Sequence, residues 1–314
     1  MLVGIAFIAL TAIACITLPL LVYGTTLAAF GLPHVVAELR YVALRFADRW
    51  PARLMGTVAL LLAAIVGLRI LQMSGLLTTR IGKPTELGLV AVLATVTLPA
   101  LWQRGPLNAL LGLLLIVGVA WGAMTAPIHT ALSLAILHNF TPVGFFYEAL
   151  RGARRRRALF WSAVVFLGVP AVIASGLPYQ ALHGTGWVNP ELTALPTGAL
   201  ARHIGVYVPQ ALHADMLALH LFSAVVFAQC MHYTAVIHIL PRLGTIPDGV
   251  NRTWAIGLIA IGALTLVAFS GDFFMSRKIY GLFAAVHAWI EVPVLLAALL
   301  GATPTVVSPE SVPG

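Results

Sequence analysis

The stretch FAQCMHYTAVIHILPRL, residues 227–243, decides how the chain is read. It is mostly the apolar run of a membrane helix, yet two imidazoles, His232 and His238, stand inside it. The same character extends outward over the whole chain. Of its 314 residues 60% are apolar and 9% charged, whereas soluble domains carry about a quarter charged residues. Uninterrupted apolar runs of about 18 residues or more read as membrane helices. Lipid offers a spanning segment no hydrogen-bond partners, so such segments satisfy their own backbone as helices. The expected fold is all-α, a polytopic transmembrane helix bundle embedded in a lipid bilayer. The net charge of +8 does not indicate nucleic acid, because the basic residues fall between the apolar runs.

Nine spans are expected, at 4–30, 54–74, 87–102, 107–125, 128–148, 158–178, 213–240, 253–271 and 279–301. They form one transmembrane domain, 1–302, with a long outer loop at 179–212 and a disordered tail at 303–314. The third and fourth share the tight turn QRGP, residues 103–106. The first run has no basic leader and no small-residue cleavage site, which reads as a retained helix. Arg and Lys set the orientation. With the N-terminus outside, twelve basic residues lie in inner loops (Arg40, Arg45, Arg49, Arg53, Arg104, Arg151, Arg154 to Arg157, Arg242 and Arg252). Five lie outside (Arg80, Lys83, Arg202, Arg277 and Lys278). Arg69 is left within a span, and the C-terminus is cytoplasmic. The two cysteines, Cys15 and Cys230, both fall in spans and suggest neither a disulfide framework nor a CxxC metal motif.

Against bland Ala, Leu, Val and Ile, the polar exceptions cluster. His34, His129, His138, His213, His220, His232, His238 and His287 lie in or at the ends of spans, eight of the ten histidines. Ionisable groups in the bilayer are expensive and mark functional sites. Helical geometry limits which can cooperate. His220 and His238 are roughly 27 Å apart along one axis, too far to share an ion. His232 and His238 are roughly 9 Å apart and about 120° apart in azimuth, so one metal could take both only where the helix bends or unwinds. His34 and Glu38, like His287 and Glu291, are four residues apart and can share a face. A carboxylate placed so can orient a metal-binding imidazole from behind. Pro33 and Pro142 interrupt regular helix beside His34 and His138. The candidate ligands are His34, His138, His232 and His238. The first, fifth and seventh spans run the same way, so the first three can meet toward the cytoplasmic side. The spacing of His232 and His238 leaves one of that pair as ligand and the other as a supporting or structural residue. His220 and His287 form a shallower layer that could add ligands or make a second site.

Neutral imidazoles suit iron, copper or zinc, and serve Ca²⁺ or Mg²⁺ poorly. An all-histidine shell with open positions in apolar surroundings suits oxygen activation on a hydrophobic molecule. HExxH, phosphate-binding glycine loops and a nucleophile elbow are absent from the sequence.

GLPHVVAE, residues 31–38, resembles the GLPHG motif of the Brp/Blh family of bacterial carotene-cleaving dioxygenases. LHNF at 137–140, CMHYTAVIH at 230–238 and VHAWIE at 286–291 are similar to that family's later motifs, in the same order. The resemblance implies a membrane non-haem Fe(II) enzyme of the bacterial cytoplasmic membrane, acting with O₂ on a carotenoid or another polyene or lipid. It implies iron ligands at His34, His138 and one or both of His232 and His238. Two other functions fit the composition. One is a haem-binding electron-transfer protein with two histidines on facing helices. The other is a proton- or ion-coupled transporter using the histidines with Glu38 or Glu291.

Overall fold

The computed structural model describes residues 2–46, 50–243 and 251–299, and every regular element among them is helical. Seven helices are long and apolar enough to cross a membrane. They are α2 (Pro19–Phe46), α3 (Ala52–Met73), α6 (Pro106–Thr125), α9 (Gly152–Ala174), α12 (Met216–Arg242), α13 (Arg252–Gly271) and α14 (Phe273–Leu299). Shorter pieces complete the order: α1 (Leu2–Thr17), α4 (Thr79–Thr95), α5 (Leu98–Trp102), α7 (Pro127–His138), α8 (Thr141–Ala149), α10 (Leu177–His183) and α11 (Ala201–Ile204). The expected tail, 303–314, lies outside the described residues, as does Arg49.

Nine expected spans become seven long helices for local reasons. The third is α4, of 17 residues, followed after a turn by α5. The fifth breaks between α7 and α8, where Asn139 turns its amide back onto the Ala135 and Ile136 carbonyls and Pro142 opens a new helix. The first divides at Pro19, which starts α2 and cannot donate a backbone hydrogen bond. Its two parts run in opposite directions. Tyr23 packs on Phe222 and His34 on His232, so α2 and α12 are parallel. Cys15 of α1 touches Cys230, while Gly4, Ile5 and Ile8 border one cavity with Ala235, Ile239 and Leu243, so α1 is antiparallel to α12. An outside N-terminus, expected for a single 4–30 rod, does not follow from this path. The QRGP turn forms as read, with Gly105 at φ 129°, a conformation that favours glycine.

α12 is the central post of the bundle. Of its apolar window 72% is buried, against 11% for α13, so polar groups of α12 such as Gln229 and His232 lie within protein. Its own Phe222 and Phe227 are buried in the core with Tyr23, Phe145 and Phe273 from other helices. In a bilayer, helices associate through close packing and polar contacts more than through hydrophobic transfer. α2 and α13 show the first. Pro33 cannot donate to the carbonyl of Ala29, and that oxygen faces Gly262, where a β-carbon would sit only 2.6 Å away. At the α2 C-terminus Arg45 makes a two-pronged pair with Glu148 of α8, at 3.1 and 2.9 Å.

The 179–212 loop folds over the bundle. Asn189 donates its backbone N–H to the Thr17 carbonyl, and the Tyr207 hydroxyl donates to the side-chain amide oxygen of Gln229 on α12. His203 of α11 is fully buried. Its Nε2–H donates to the Thr197 carbonyl (2.8 Å) and its Nδ1 accepts from Arg277 (3.0 Å). Burial pushes this imidazole below its usual range. The Arg277 guanidinium adds to that shift and the Thr197 carbonyl opposes it.

Candidate metal centre

Four helices each deliver one histidine to a common point. His34 comes from α2, His138 from the last turn of α7, His232 from α12 and His287 from α14, and Glu38 joins them from α2. One ligand atom from each of these five residues lies within 4.8 Å of all the others. The His287 Nε2 stands 3.1 Å from the His34 Nε2 and 3.0 Å from the His138 Nε2. The Glu38 carboxylate is 3.5 Å from the His232 Nε2 and 3.9 Å from the His287 Nε2.

Hydrogen bonds on the outer side of the rings fix what faces inward. The His34 Nδ1–H donates to the Phe30 carbonyl one turn back (3.2 Å), leaving a lone pair on its Nε2. The His138 Nδ1–H donates to Glu291 (2.7 Å), whose other oxygen accepts from the Thr141 hydroxyl (3.1 Å). The His138 Nε2 therefore also offers a lone pair. A neutral His287 has at most one proton on its Nε2. It can satisfy one of its two nitrogen neighbours and must meet the other lone pair to lone pair. Both Glu38 oxygens and both His232 nitrogens are buried without a hydrogen-bond partner. A buried carboxylate and converging lone pairs left so are costly. One added positive charge at the centre relieves the lone-pair clash and the buried carboxylate together, and partners one of the two His232 nitrogens.

The structure thus brings together His34, His138 and His232 from the expected ligand set, and adds His287. The latter was expected in a shallower layer. α14 begins at Phe273 instead of residue 279, which places His287 near its middle. Likewise α2 runs on through Pro33 to Phe46, so His34 sits mid-helix and not at a span end. His238 is not brought in. The helix does widen after His232, into a π-turn at Ala235–Ile239 ahead of Pro241, yet this sends His238 to the outer surface beside Arg242. His220 lies against Gly176 and Tyr179, twelve residues or about 18 Å up α12 from His232. Glu38 was expected to orient His34; it points instead at His232 and His287. Glu291 was expected to pair with His287 on its own helix; it bonds His138 across helices instead.

A cavity of about 300 Å³ adjoins the cluster. Its far end holds a charged group that the histidine pattern did not reveal. Glu86 is buried and accepts from Arg69, Trp289 (3.1 Å) and Lys83 (3.0 Å). Arg69 also donates to the Gly281 carbonyl (2.6 Å). The one signal in the sequence was Arg69 itself, a charge inside a span. The chain matches no protein-family model, no curated protein and no solved structure among those compared, so the site stands on its own geometry.

Proposed function

We propose that the chain is an integral-membrane non-haem iron protein, an oxygenase that acts with O₂ on a hydrophobic substrate such as a carotenoid, polyene or lipid. The observation that carries this reading is the proton count at the cluster: three Nε2 atoms and a buried carboxylate whose contacts need a cation. Two ligands at right angles on bonds of about 2.1 Å lie about 3.0 Å apart, and tetrahedral ones about 3.4 Å. Separations of 3.1 and 3.0 Å suit the first, and hence a five- or six-coordinate ion. Imidazoles with one carboxylate suit Fe(II), with copper the next candidate. The likeness of GLPH and the later motifs to carotene-cleaving dioxygenases points the same way. Bound iron would supply O₂ activation. The protein's own residues position the imidazoles, keep the carboxylate dry and shape the chamber.

Haem is a poorer fit. A porphyrin between two axial imidazoles separates their nitrogens by about 4 Å and needs a wide flat slot, whereas here the rings crowd together edge to face. A proton- or ion-coupled transporter would use the same buried charges, but four nitrogen donors favour a transition metal over an alkali cation. We place Arg151 and Arg154 to Arg157 on the cytoplasmic side of a bacterial inner membrane, following the bias in basic residues.

Elemental analysis of detergent-purified protein tests the proposal. About one iron per chain is expected in the wild type, lost in His34→Ala, His138→Ala, His232→Ala and His287→Ala. It is expected to stay in His220→Ala and His238→Ala. Iron at full stoichiometry in all six variants would end the reading.

A further inference from the structure

We propose that the chamber beside the cluster binds an amphiphile with an anionic head, a long-chain carboxylate, whose head docks at Lys83 and whose chain passes the metal centre at His138. This rests on the oxygenase reading above and narrows its substrate class.

Three observations carry it. The first is charge. At the far end of the cavity Arg69 and Lys83 share one carboxylate, Glu86, leaving an excess of one positive charge. Glu86 is saturated by donors from Arg69, Lys83 and Trp289. The Lys83 ammonium carries three donors and gives one to Glu86. Its side chain is 28% exposed and lines the cavity, so two donors remain for a further partner there. An uncharged hydrocarbon would leave this cation uncompensated in membrane surroundings.

The second is distance. Arg69 anchors to the carbonyl of Gly281, and His287 follows six residues later on α14, about 9 Å along the axis. A head group at Lys83 would hold a chain carbon several bonds away over the cluster. The approach is on the His138 side, the least enclosed of the four rings. Its side chain is 17% exposed, against 1–2% for His232 and His287.

The third is access. Ala131 and Ala135 of α7, with Ala284 and Ala288 of α14, give the chamber methyl-sized walls. α7 packs mainly on α4 and α6, meets α12 and α14 chiefly through His138 at its C-terminal end, and none of its residues is buried. Ala135 both lines the chamber and is exposed on the outside of the bundle. A chain can therefore enter sideways from the bilayer while its head stays at the Lys83 level.

The test uses cis-parinaric acid, a fluorescent polyene carboxylate, and its methyl ester, titrated against the full-length protein in nanodiscs of zwitterionic lipid. The acid is expected to bind about tenfold more tightly than the ester, the size of one charge-assisted contact. Lys83→Gln should abolish that preference by weakening the acid alone, and Lys83→Arg should keep it. Ala284→Phe, which narrows the chamber, should weaken both ligands. Equal binding of acid and ester by the wild type, or an acid preference that survives Lys83→Gln in folded protein, overturns the proposal. The same titration on His34→Ala protein separates the two readings. Acid binding there with iron lost leaves the amphiphile site standing. Iron retained in every histidine variant removes the oxygenase reading and with it the substrate role, while the anion site at Lys83 stands or falls by the acid–ester comparison alone.

Discussion

Replacing Glu291 is expected to weaken metal binding without removing a single ligand atom. Its Oε2 accepts from the His138 Nδ1–H at 2.7 Å and its Oε1 from the Thr141 hydroxyl at 3.1 Å. The first bond fixes the His138 tautomer and turns its Nε2 lone pair toward His287. Partners of this kind contribute about 10- to 100-fold in metal affinity, or about 1.4–2.7 kcal/mol. The geometry grades the variants within that range. Glu291→Gln can keep its amide oxygen toward His138. Its NH₂ then faces Thr141, whose hydroxyl accepts while donating to the His138 carbonyl at 2.9 Å. Only the charge is lost, and about a tenfold decrease is expected. Glu291→Ala removes the acceptor altogether, frees the ring to rotate and should cost about a hundredfold. Thr141→Val removes one hydrogen bond to the carboxylate, which that hydroxyl shares with the His138 carbonyl, worth about 1 kcal/mol or roughly fivefold. The assay is anaerobic titration of Fe(II) against a competing chelator in detergent micelles, with thermal melting as a check on folding. If Glu291→Ala binds iron within twofold of the wild type while melting normally, His138 is not a ligand held by Glu291, and the proton count at the cluster loses its basis.

Two further predictions concern the frame. Gly262→Ala would put a methyl 2.6 Å from the Ala29 carbonyl oxygen, forcing α2 and α13 apart at a cost of about 1–3 kcal/mol; a lowered melting temperature together with reduced iron content is expected, because α2 carries His34 and Glu38, and an unchanged melt would show that the crossing yields freely. His203 is held neutral by burial, so its folded pKa lies below the unfolded one. The unfolded chain then takes up the proton first, and stability falls as the pH drops below about 6.5, the ordinary imidazole value. Melting at pH 5.5 and 7.5 should show a drop that shrinks in His203→Gln, and an undiminished drop in that variant would assign the acid sensitivity elsewhere.

How far the site could be read from residues alone is seen at particular positions. The choice of His34, His138 and His232 over the bland background followed from the cost of ionisable groups in lipid, and those three do meet. His238 shows where such reasoning stops. Its distance and azimuth from His232 left both as candidates if the helix unwound. The helix does widen at Ala235–Ile239, but the direction of the extra turn is set by Pro241 and by packing, and it carries His238 outward. His287 was placed too shallow because Arg277 and Lys278 read as loop, whereas His203 of the outer loop and the ring of Phe274 hold Arg277 within the first turns of α14. The Glu86 group was hidden because Arg69 and Trp289 reach it from α3 and α14, and only Lys83, three residues away on α4, shares a helical spacing with it.

Composition and periodicity by themselves determined that the chain is a bundle of membrane helices with costly histidines inside it. That much is local, because each apolar segment must close its own hydrogen bonds in lipid whatever its neighbours do. Tertiary structure alone decided which histidines share a centre, that Glu38 belongs among them, and that α1 turns back at Pro19. Those outcomes depend on helix starts, kinks and azimuths summed over several segments, where a shift of one residue rotates a side chain by about 100°. Only the packed bundle selects among such rotations.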